Sequence, residues 1–175
     1  MNQNNHTGLL SLIRNYVACN LWANERIVEW LKPQVPELLE ENVPSSFPSI
    51  KATLVHMLDT ERFWLSVVQQ APPVFFRDEF TGRNEELFCG IVEQSKEFET
   101  YVNSLTEDLI LENRYLDTPW VKGERPQFDF ILHVINHSTY HRGQVTTIAH
   151  NVGIKGAPMT DYNAYLMMPK ENINH

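Results

Sequence analysis

The sequence predicts an all-α fold, a four-helix bundle with long connections between its helices. Four long segments repeat apolar residues at steps of three and four, proline or glycine residues bound them, and no convincing pattern of several strands appears. The chain has 175 residues and is 42% hydrophobic, which is enough for one core. We therefore predict a single domain over residues 1–175, with a frayed tail at about residues 169–175.

The first two predicted helices are joined by a segment that contains several prolines and serines. Apolar residues recur at helical spacing from about Leu9 to Leu31, and two prolines soon after Leu31 end that pattern. The second helix takes Ser46 or Ser49 as its N-cap, because a serine side chain accepts a hydrogen bond from a free backbone N–H of the first turn. It is predicted to end near Gln70, before two further prolines.

The third predicted helix is marked by apolar residues from Leu87 to Leu105. Residues 111–127 then break the helical pattern, and either an irregular excursion or a small hairpin turning at Lys122 and Gly123 fits them. The loop before the third helix carries aromatic residues that we expect to cover one end of the bundle. These residues are Phe75, Phe76 and Phe80.

The last long helix is predicted to begin near Pro126 and to end before Gly153. Proline suits a first helical turn, and glycine suits a cap in the left-handed conformation. After this helix, the short run from Tyr162 to Met168 fits either a docked extra turn or a loop.

Charge and composition exclude several classes of protein. The net charge of −8 repels a phosphate backbone, and no cluster of Lys and Arg offsets it, so nucleic-acid binding is not expected. The sequence begins without a basic and apolar leader, and no run approaches the roughly 18 apolar residues of a membrane span. We therefore predict a soluble, cytoplasmic protein without membrane contact. Cys19 and Cys89 lie in amphipathic segments, which predicts reduced thiols buried as small apolar groups.

Three of the seven histidines, His133, His137 and His141, lie four residues apart on the last long helix. At 100° per residue they share a face with apolar residues that should turn toward the core. Histidines on a buried face need hydrogen-bond partners or a metal ion. Because residues at i and i+4 have Cβ atoms about 5–6 Å apart, two such imidazoles can bind one ion.

The second helix supplies a third candidate ligand, His56, which is surrounded by apolar residues in sequence. A set of three ligands leaves a position for water, so His133 is interpreted as a supporting or structural residue. Asp59 could orient the His56 ring through its other nitrogen. The remaining histidines lie near chain or helix ends and are predicted to be exposed: His6, His150 and His175.

Simpler explanations compete with a metal site, because His-x-x-x-His spacing also arises by coincidence or in a hydrogen-bonded core pair. Other metal chemistry fits less well. Zinc proteases need Glu directly after the first histidine, and here Ser138 follows His137. Di-iron bundles need several inward carboxylates with Glu-x-x-His spacing, which these histidines lack. A single mononuclear site is the better match.

Four segments of the chain form a recognisable set: YVACNLWANERI on the first helix, FPSIKATLVHMLDTERFW on the second, HVINHSTYHRGQV on the fourth, and DYNAYL after it. Together they resemble the DinB family of metal-binding four-helix bundles, which is itself similar to bacterial low-molecular-weight thiol transferases. The resemblance implies one divalent ion held by His56, His137 and His141, with water completing the shell. Histidine suits several metals, and we favour zinc or nickel.

The resemblance also implies a helical order in which neighbouring helices run parallel as well as antiparallel, which the long connections after Gln70 and Leu105 allow. Members of the family often resemble homodimers, and the outer positions Ile131 and Ile135 could contribute to such an interface or pack under a loop. The family name refers to DNA damage, but that describes expression under stress and implies no contact with DNA.

We therefore predict a metal-dependent enzyme in which the ion activates a water or a small thiol that attacks an electrophile. Gln144, Tyr140 and Arg142 could orient the bound molecule, although Gln144 could equally support a ligand from behind and Arg142 could face solvent. The alternative is a metal-binding, stress-response protein without catalysis, in which the ion is structural or sensory.

Overall fold

The computed structural model describes residues 8–74, 80–118 and 122–167. These residues are mostly helical, which confirms the all-α fold class. They form seven helices and one two-stranded antiparallel sheet. In chain order the elements are α1 (Leu9–Leu31), α2 (Pro36–Glu40), α3 (Ile50–Val68), α4 (Asn84–Ser104), α5 (Glu107–Leu111), β1 (Asn113–Asp117), β2 (Lys122–Pro126), α6 (Gln127–Asn151) and α7 (Tyr162–Met167).

The four long helices α1, α3, α4 and α6 form the bundle, and α1 and α3 each pack against both α4 and α6. Arg14 near the start of α1 donates to the backbone oxygen of Leu105 just after α4, at 2.7 Å, so these two helices run antiparallel. Tyr101 near the end of α4 donates to the oxygen of Val68 at the end of α3, at 2.9 Å, so this pair runs parallel. Both directions therefore occur between neighbours, as the resemblance implies.

The ends of the long helices follow the predicted capping rules. Ser49 caps α3, because its side chain accepts a hydrogen bond from the backbone N–H of Ala52 at 3.1 Å. Gly153 follows α6 with φ +89°, a conformation that suits glycine because it has no Cβ. Next to it, the N–H of Ile154 reaches back to the oxygen of Ala149 at 2.9 Å, which satisfies a carbonyl at the helix end.

Two short helices were not predicted, because five residues are too few to show a helical period. Pro36 begins α2 at its first turn, although the sequence presented it only as the end of α1. Thr106 caps α5 by accepting from the N–H of Leu109 at 3.2 Å.

The hairpin interpretation of residues 111–127 is confirmed, but the predicted turn is wrong. Lys122 and Gly123 belong to β2, where they pair with Asp117 and Leu116 of β1. The predicted turn residues are therefore strand residues, and residues 119–121, which precede them, lie outside the described ranges.

The segment after α6 docks on the bundle as an extra helical turn. Tyr162 of α7 stacks on Tyr16 of α1 with ring centroids 4.4 Å apart, and its hydroxyl accepts a hydrogen bond from Asn15 at 2.6 Å. Phe80 packs against the apolar residues at one end of the bundle, as expected of the aromatic loop. The other two phenylalanines of that loop, Phe75 and Phe76, and the tail at 169–175 lie outside the described residues.

The core consists of two apolar clusters, one toward each end of the bundle. The prediction that Ile131 and Ile135 lie on the outside is wrong, because they are buried in one of these clusters. The physical reason is that α6 contacts both α1 and α3, so its buried arc is wider than one stripe. A homodimer stays a prediction and needs a different surface.

Between the two apolar clusters lies a layer of buried polar side chains, at the same height in the bundle as the histidines of α6. Its members come from all four long helices and are Asn20, Asn24, Glu61, Gln94, Ser95, Ser138 and Arg142.

Both cysteines are free, but only one is buried as predicted. Cys19 lies inside the bundle, whereas Cys89 is exposed with its Sγ 3.2 Å from Glu93 Oε1. None of the helices within the described ranges is long and apolar enough to cross a membrane.

Candidate metal centre

Three histidine side chains from two helices bring their Nε2 atoms together. His137 Nε2 lies 3.0 Å from His56 Nε2 and 3.0 Å from His141 Nε2. The ligand atoms of all three residues lie within 4.8 Å of one another. Nitrogens bound tetrahedrally to one zinc ion at 2.0–2.1 Å are separated by roughly 3.3 Å. Small ring movements are therefore enough for these three residues to hold a metal ion.

The position of the group follows from the packing of α3 on α6. His137 and His141 lie one turn apart on the face of α6 that contacts α3, which carries His56. Within residues 8–74, 80–118 and 122–167, no cysteine, carboxylate or fourth histidine belongs to the group. A nearby hydroxyl, Thr60 Oγ1, lies 3.5 Å from His56 Nε2, at the outer limit of a hydrogen bond.

Gln144 determines which nitrogen of His141 faces the group. Its Oε1 lies 2.6 Å from His141 Nδ1 and accepts the proton of that nitrogen, which leaves the lone pair on Nε2. A proton on His137 Nε2 can point at only one of its two neighbours, so hydrogen bonds alone leave one of the 3.0 Å contacts without a proton. A cation would satisfy all three nitrogens at once, so the donor set fits a metal ion.

Burial keeps these imidazoles neutral. It lowers the pKa of His137 to about 3, an effect that the other histidines strengthen. It also lowers the pKa of His56 to about 4, with His141 adding to the effect and Asp59 opposing it. The pKa of His141 is lowered by burial too, against its hydrogen bond with Gln144. Neutral imidazole is the form that binds metal, so few protons compete for these nitrogens near neutral pH.

Phe47, in the connection between α2 and α3, covers two of the three rings. Its ring stacks on His56 with centroids 4.2 Å apart and meets His141 edge-on at 5.6 Å. The same connection is tied to α6, because Gln144 Nε2 donates to Ser46 Oγ at 3.4 Å. The apolar ring shields the imidazoles from water on that side of the group.

The other predicted supporting residues lie at different distances from the group. Tyr140 is exposed, and its hydroxyl accepts a hydrogen bond from Gln144 Nε2 at 3.1 Å. Asp59 is buried near the group and acts on it through its charge. His133 is not one of the three clustered histidines, and its ring meets Trp64 edge-on at 4.7 Å. Its interpretation as a supporting or structural residue stays a prediction.

Comparison with known proteins identifies the family to which this chain belongs. The DinB family matches residues 1–172 of the chain. The chain belongs to the DinB family. It is 30% identical over 171 residues to Protein DinB of Bacillus subtilis strain 168, covering 86% of this chain and 91% of that protein. Membership of the DinB family, together with the three-histidine group, is compatible with metal binding.

In this DinB family member, Arg142 neither faces solvent nor reaches the histidine group, so both predictions for it are wrong. It is 3% exposed, and its guanidinium donates to Asn20 and Asn24 of α1 and to Thr139. On a helix, neighbouring residues point about 100° apart, so the residue after His141 faces α1 and not α3.

Sequence reasoning missed the functional interest of this polar layer and of Phe47. Asn20 and Glu61 lie within two of the segments that carry the family resemblance, but no spacing or motif there assigns either residue a role. The available signal was a pair of asparagines four residues apart on a buried face, which need partners just as histidines do. No pattern in the sequence pointed Phe47 at the histidines, because it lies in a connection without periodicity.

Proposed function

We propose that this protein binds one divalent metal ion, zinc or nickel, through the Nε2 atoms of His56, His137 and His141. The convergence of these three neutral nitrogens is the observation that carries the proposal. Imidazole suits both metals, and three protein ligands are typical of sites where a fourth position serves an exogenous molecule.

We propose further that the site activates a small molecule. Three neutral ligands leave the ion its full double charge, and such an ion supplies Lewis acidity that lowers the pKa of a thiol or a water. Gln144 holds the His141 ring in one tautomer, and Phe47 excludes water from one side. Tyr140, exposed beside Gln144, is positioned to donate a hydrogen bond to an incoming molecule.

A small thiol is the better substrate candidate. The three-histidine group includes no carboxylate among the described residues, and Ser138 follows His137 where a zinc protease has its glutamate, so the zinc-protease arrangement for taking a proton from water is missing. A thiol does not need a strong base, since its own pKa is near 8.5 and a nearby cation lowers it. The thiolate sulfur would then form a bond to a small electrophile as the leaving group departs, and the thiol proton would go to solvent.

The test is reconstitution with cobalt followed by titration with small thiols. Sulfur bound to cobalt adds a new near-ultraviolet absorption, and we expect this band in the wild type and its absence in His137→Ala. The matched control is His150→Ala, an exposed histidine of the same helix. If no thiol changes the spectrum, while an ester or amide is hydrolysed by the wild type and not by His137→Ala, the ion activates water instead.

A second candidate function is a non-catalytic one, in which the ion fastens α3 to α6 or reports metal availability during stress. It is favoured by the 81 positions that separate His56 from His137, because an ion that links such distant segments stabilises the folded state. Free metal at 100 times its Kd stabilises by about 2.7 kcal/mol. Zinc that raises the melting temperature, with no thiol response of the cobalt form and no hydrolysis, would support this function.

A further inference from the structure

Behind the three histidines, one asparagine of α1 bridges two buried ionisable side chains. Asn20 Oδ1 accepts a hydrogen bond from Arg142 Nη1 at 2.7 Å, and Asn20 Nδ2 donates to Glu61 Oε2 at 3.2 Å. All three residues are at most 3% exposed. The amide therefore satisfies a cation with its oxygen and a carboxylate with its nitrogen.

A second asparagine one turn later makes a parallel bridge. Asn24 Oδ1 accepts from Arg142 Nη1 at 2.9 Å, and Asn24 Nδ2 donates to Ser95 Oγ of α4 at 2.9 Å. Arg142 Nη2 also donates to Thr139 Oγ1 at 2.9 Å. One guanidinium of α6 is thus linked to α1, and through α1 to α3 and α4.

Such a network is a poor source of stability. Burial lowers the pKa of Arg142 to about 10 and raises that of Glu61 to about 7, which shows the cost of charge at this depth. Glu61 Oε1 and Arg142 Nε are buried without a hydrogen-bond partner. Apolar side chains of similar volume often stabilise a core as well or better than a buried ion pair does. Directional hydrogen bonds instead favour one arrangement of the helices over the alternatives.

We propose that Asn20, Asn24, Glu61 and Arg142 are positioning residues that set the register of α6 against α3, so that the Nε2 atoms of the three histidines converge. The proposal rests on the proposed function. Arg142 directly follows His141, and Glu61 lies five residues after His56. The network therefore includes one residue from each histidine-bearing helix, close in sequence to the histidines. A slip of one helical turn moves a residue by about 5.4 Å, far more than the 3.0 Å between neighbouring nitrogens allows.

In this arrangement α1 serves as a template, although none of its residues Leu9–Leu31 is a histidine. Apolar side chains alone would permit α3 and α6 to pack in registers that differ by one helical turn, because Leu, Ile and Val repeat along both of these helices. Asn20 accepts only one alignment, because its amide must meet a donor on α6 and an acceptor on α3 together. Asn24 adds a second link, between the same donor on α6 and Ser95 on α4.

The test replaces the network by apolar side chains of similar size, in the quadruple variant Asn20→Leu/Asn24→Leu/Glu61→Met/Arg142→Met, so that no partner of Arg142 on α1 is left unpaired. We expect the urea midpoint of the metal-free protein to stay at or above that of the wild type, while affinity for zinc falls at least tenfold. The matched control is Glu61→Gln, which keeps an acceptor for Asn20 Nδ2 and should bind zinc within threefold of the wild type. A purely structural network would instead lower the urea midpoint and leave zinc affinity of the folded fraction unchanged.

A second measurement does not depend on metal. The His56 and His137 rings have centroids 4.9 Å apart, so nuclear Overhauser effects between their ring protons should be seen in the metal-free wild type and in Glu61→Gln. We expect them to be lost in the quadruple variant or, if that variant does not fold, in Asn20→Ala. If the effects persist there, the positioning role is wrong whether or not the wild type binds metal. If they are lost and the wild type binds no metal, only the proposed function fails.

Discussion

Gln144 Oε1 lies 2.6 Å from His141 Nδ1, so an amide oxygen accepts the proton on the side of the ring that faces away from the three-histidine group. This contact sets the tautomer of His141 and makes its Nε2 a better electron donor. The same amide donates through Nε2 to Tyr140 and Ser46, which holds its oxygen toward His141.

Gln144→Leu should therefore weaken zinc binding by about 10- to 100-fold, the usual effect of losing the partner of a metal-bound imidazole. The measurement is competition with a chromophoric chelator at pH 7.5. Thr147→Ala is the control, because Thr147 is exposed on the same helix and should leave affinity unchanged. Equal affinities for the wild type and Gln144→Leu would contradict this role.

Replacing His56 by Ala should remove bound metal as fully as replacing His137 by Ala, because each leaves only two of the three nitrogens. His133→Ala should keep close to one ion per chain, since its ring lies against Trp64 and outside the group. Elemental analysis of untagged protein after dialysis measures both. Loss of the ion in His133→Ala and its retention in His56→Ala would show that the ligand set is wrong.

Acid should destabilise the metal-free protein through its histidines. The pKa values of about 4 for His56 and about 3 for His137 lie below the value near 6.5 of free imidazole, so between these limits the unfolded chain binds more protons. The contribution of these two histidines to the free energy of unfolding is complete above pH 6.5 and is lost as the pH falls toward 3. Glu61, with its pKa raised to about 7, acts in the opposite sense between about pH 4.5 and 7.

The double variant His56→Gln/His137→Gln separates these effects, because it keeps Glu61. Urea unfolding in chelator at pH 7.5 and pH 5 should show a larger loss of stability in the wild type than in this variant. Losses of equal size would mean that the two imidazoles do not titrate as their burial suggests.

Phe47 should slow the exchange of metal. A stacked aromatic contact is worth about 0.5–1.5 kcal/mol, so Phe47→Ala should speed metal release to a chelator by about 2- to 10-fold. Phe47→Tyr keeps the ring on His56 and should release metal at the wild-type rate. Stopped-flow mixing with excess chelator gives both rates, and identical rates for all three proteins would exclude a shielding role.

Local patterns in the sequence were enough to predict the long helices, and the structure places α1 at the predicted bounds Leu9–Leu31. Capping chemistry is also local, which is why Ser49 and Gly153 were found. The clustering of His56 with His137 and His141 was predicted from spacing, burial and family resemblance together, and the structure brings those three residues together.

The wrong predictions concern side chains whose orientation depends on contacts between segments distant in sequence. Arg142 and Asn20 are 122 positions apart, so no local pattern shows that the guanidinium turns toward α1. Ile131 was placed outside because a single apolar stripe was assumed for a helix that has two neighbours. The exposed thiol of Cys89 lies on an amphipathic helix, where one residue of rotation separates a core position from a surface one.

The residues of the polar layer lie far apart in sequence, and this affects how the chain can fold during synthesis on the ribosome. Until α6 emerges, the nascent chain carries Asn20, Asn24 and Glu61 with no guanidinium to pair with, and His56 with no second ligand. Asn20 and Asn24 can already donate to Glu61 and Ser95, but burying their side-chain oxygens and the Glu61 carboxyl group without Arg142 is costly. The first three long helices therefore have little reason to close on one another early. If the three histidines bind an ion as proposed, its loading follows translation and reports that the whole bundle has closed.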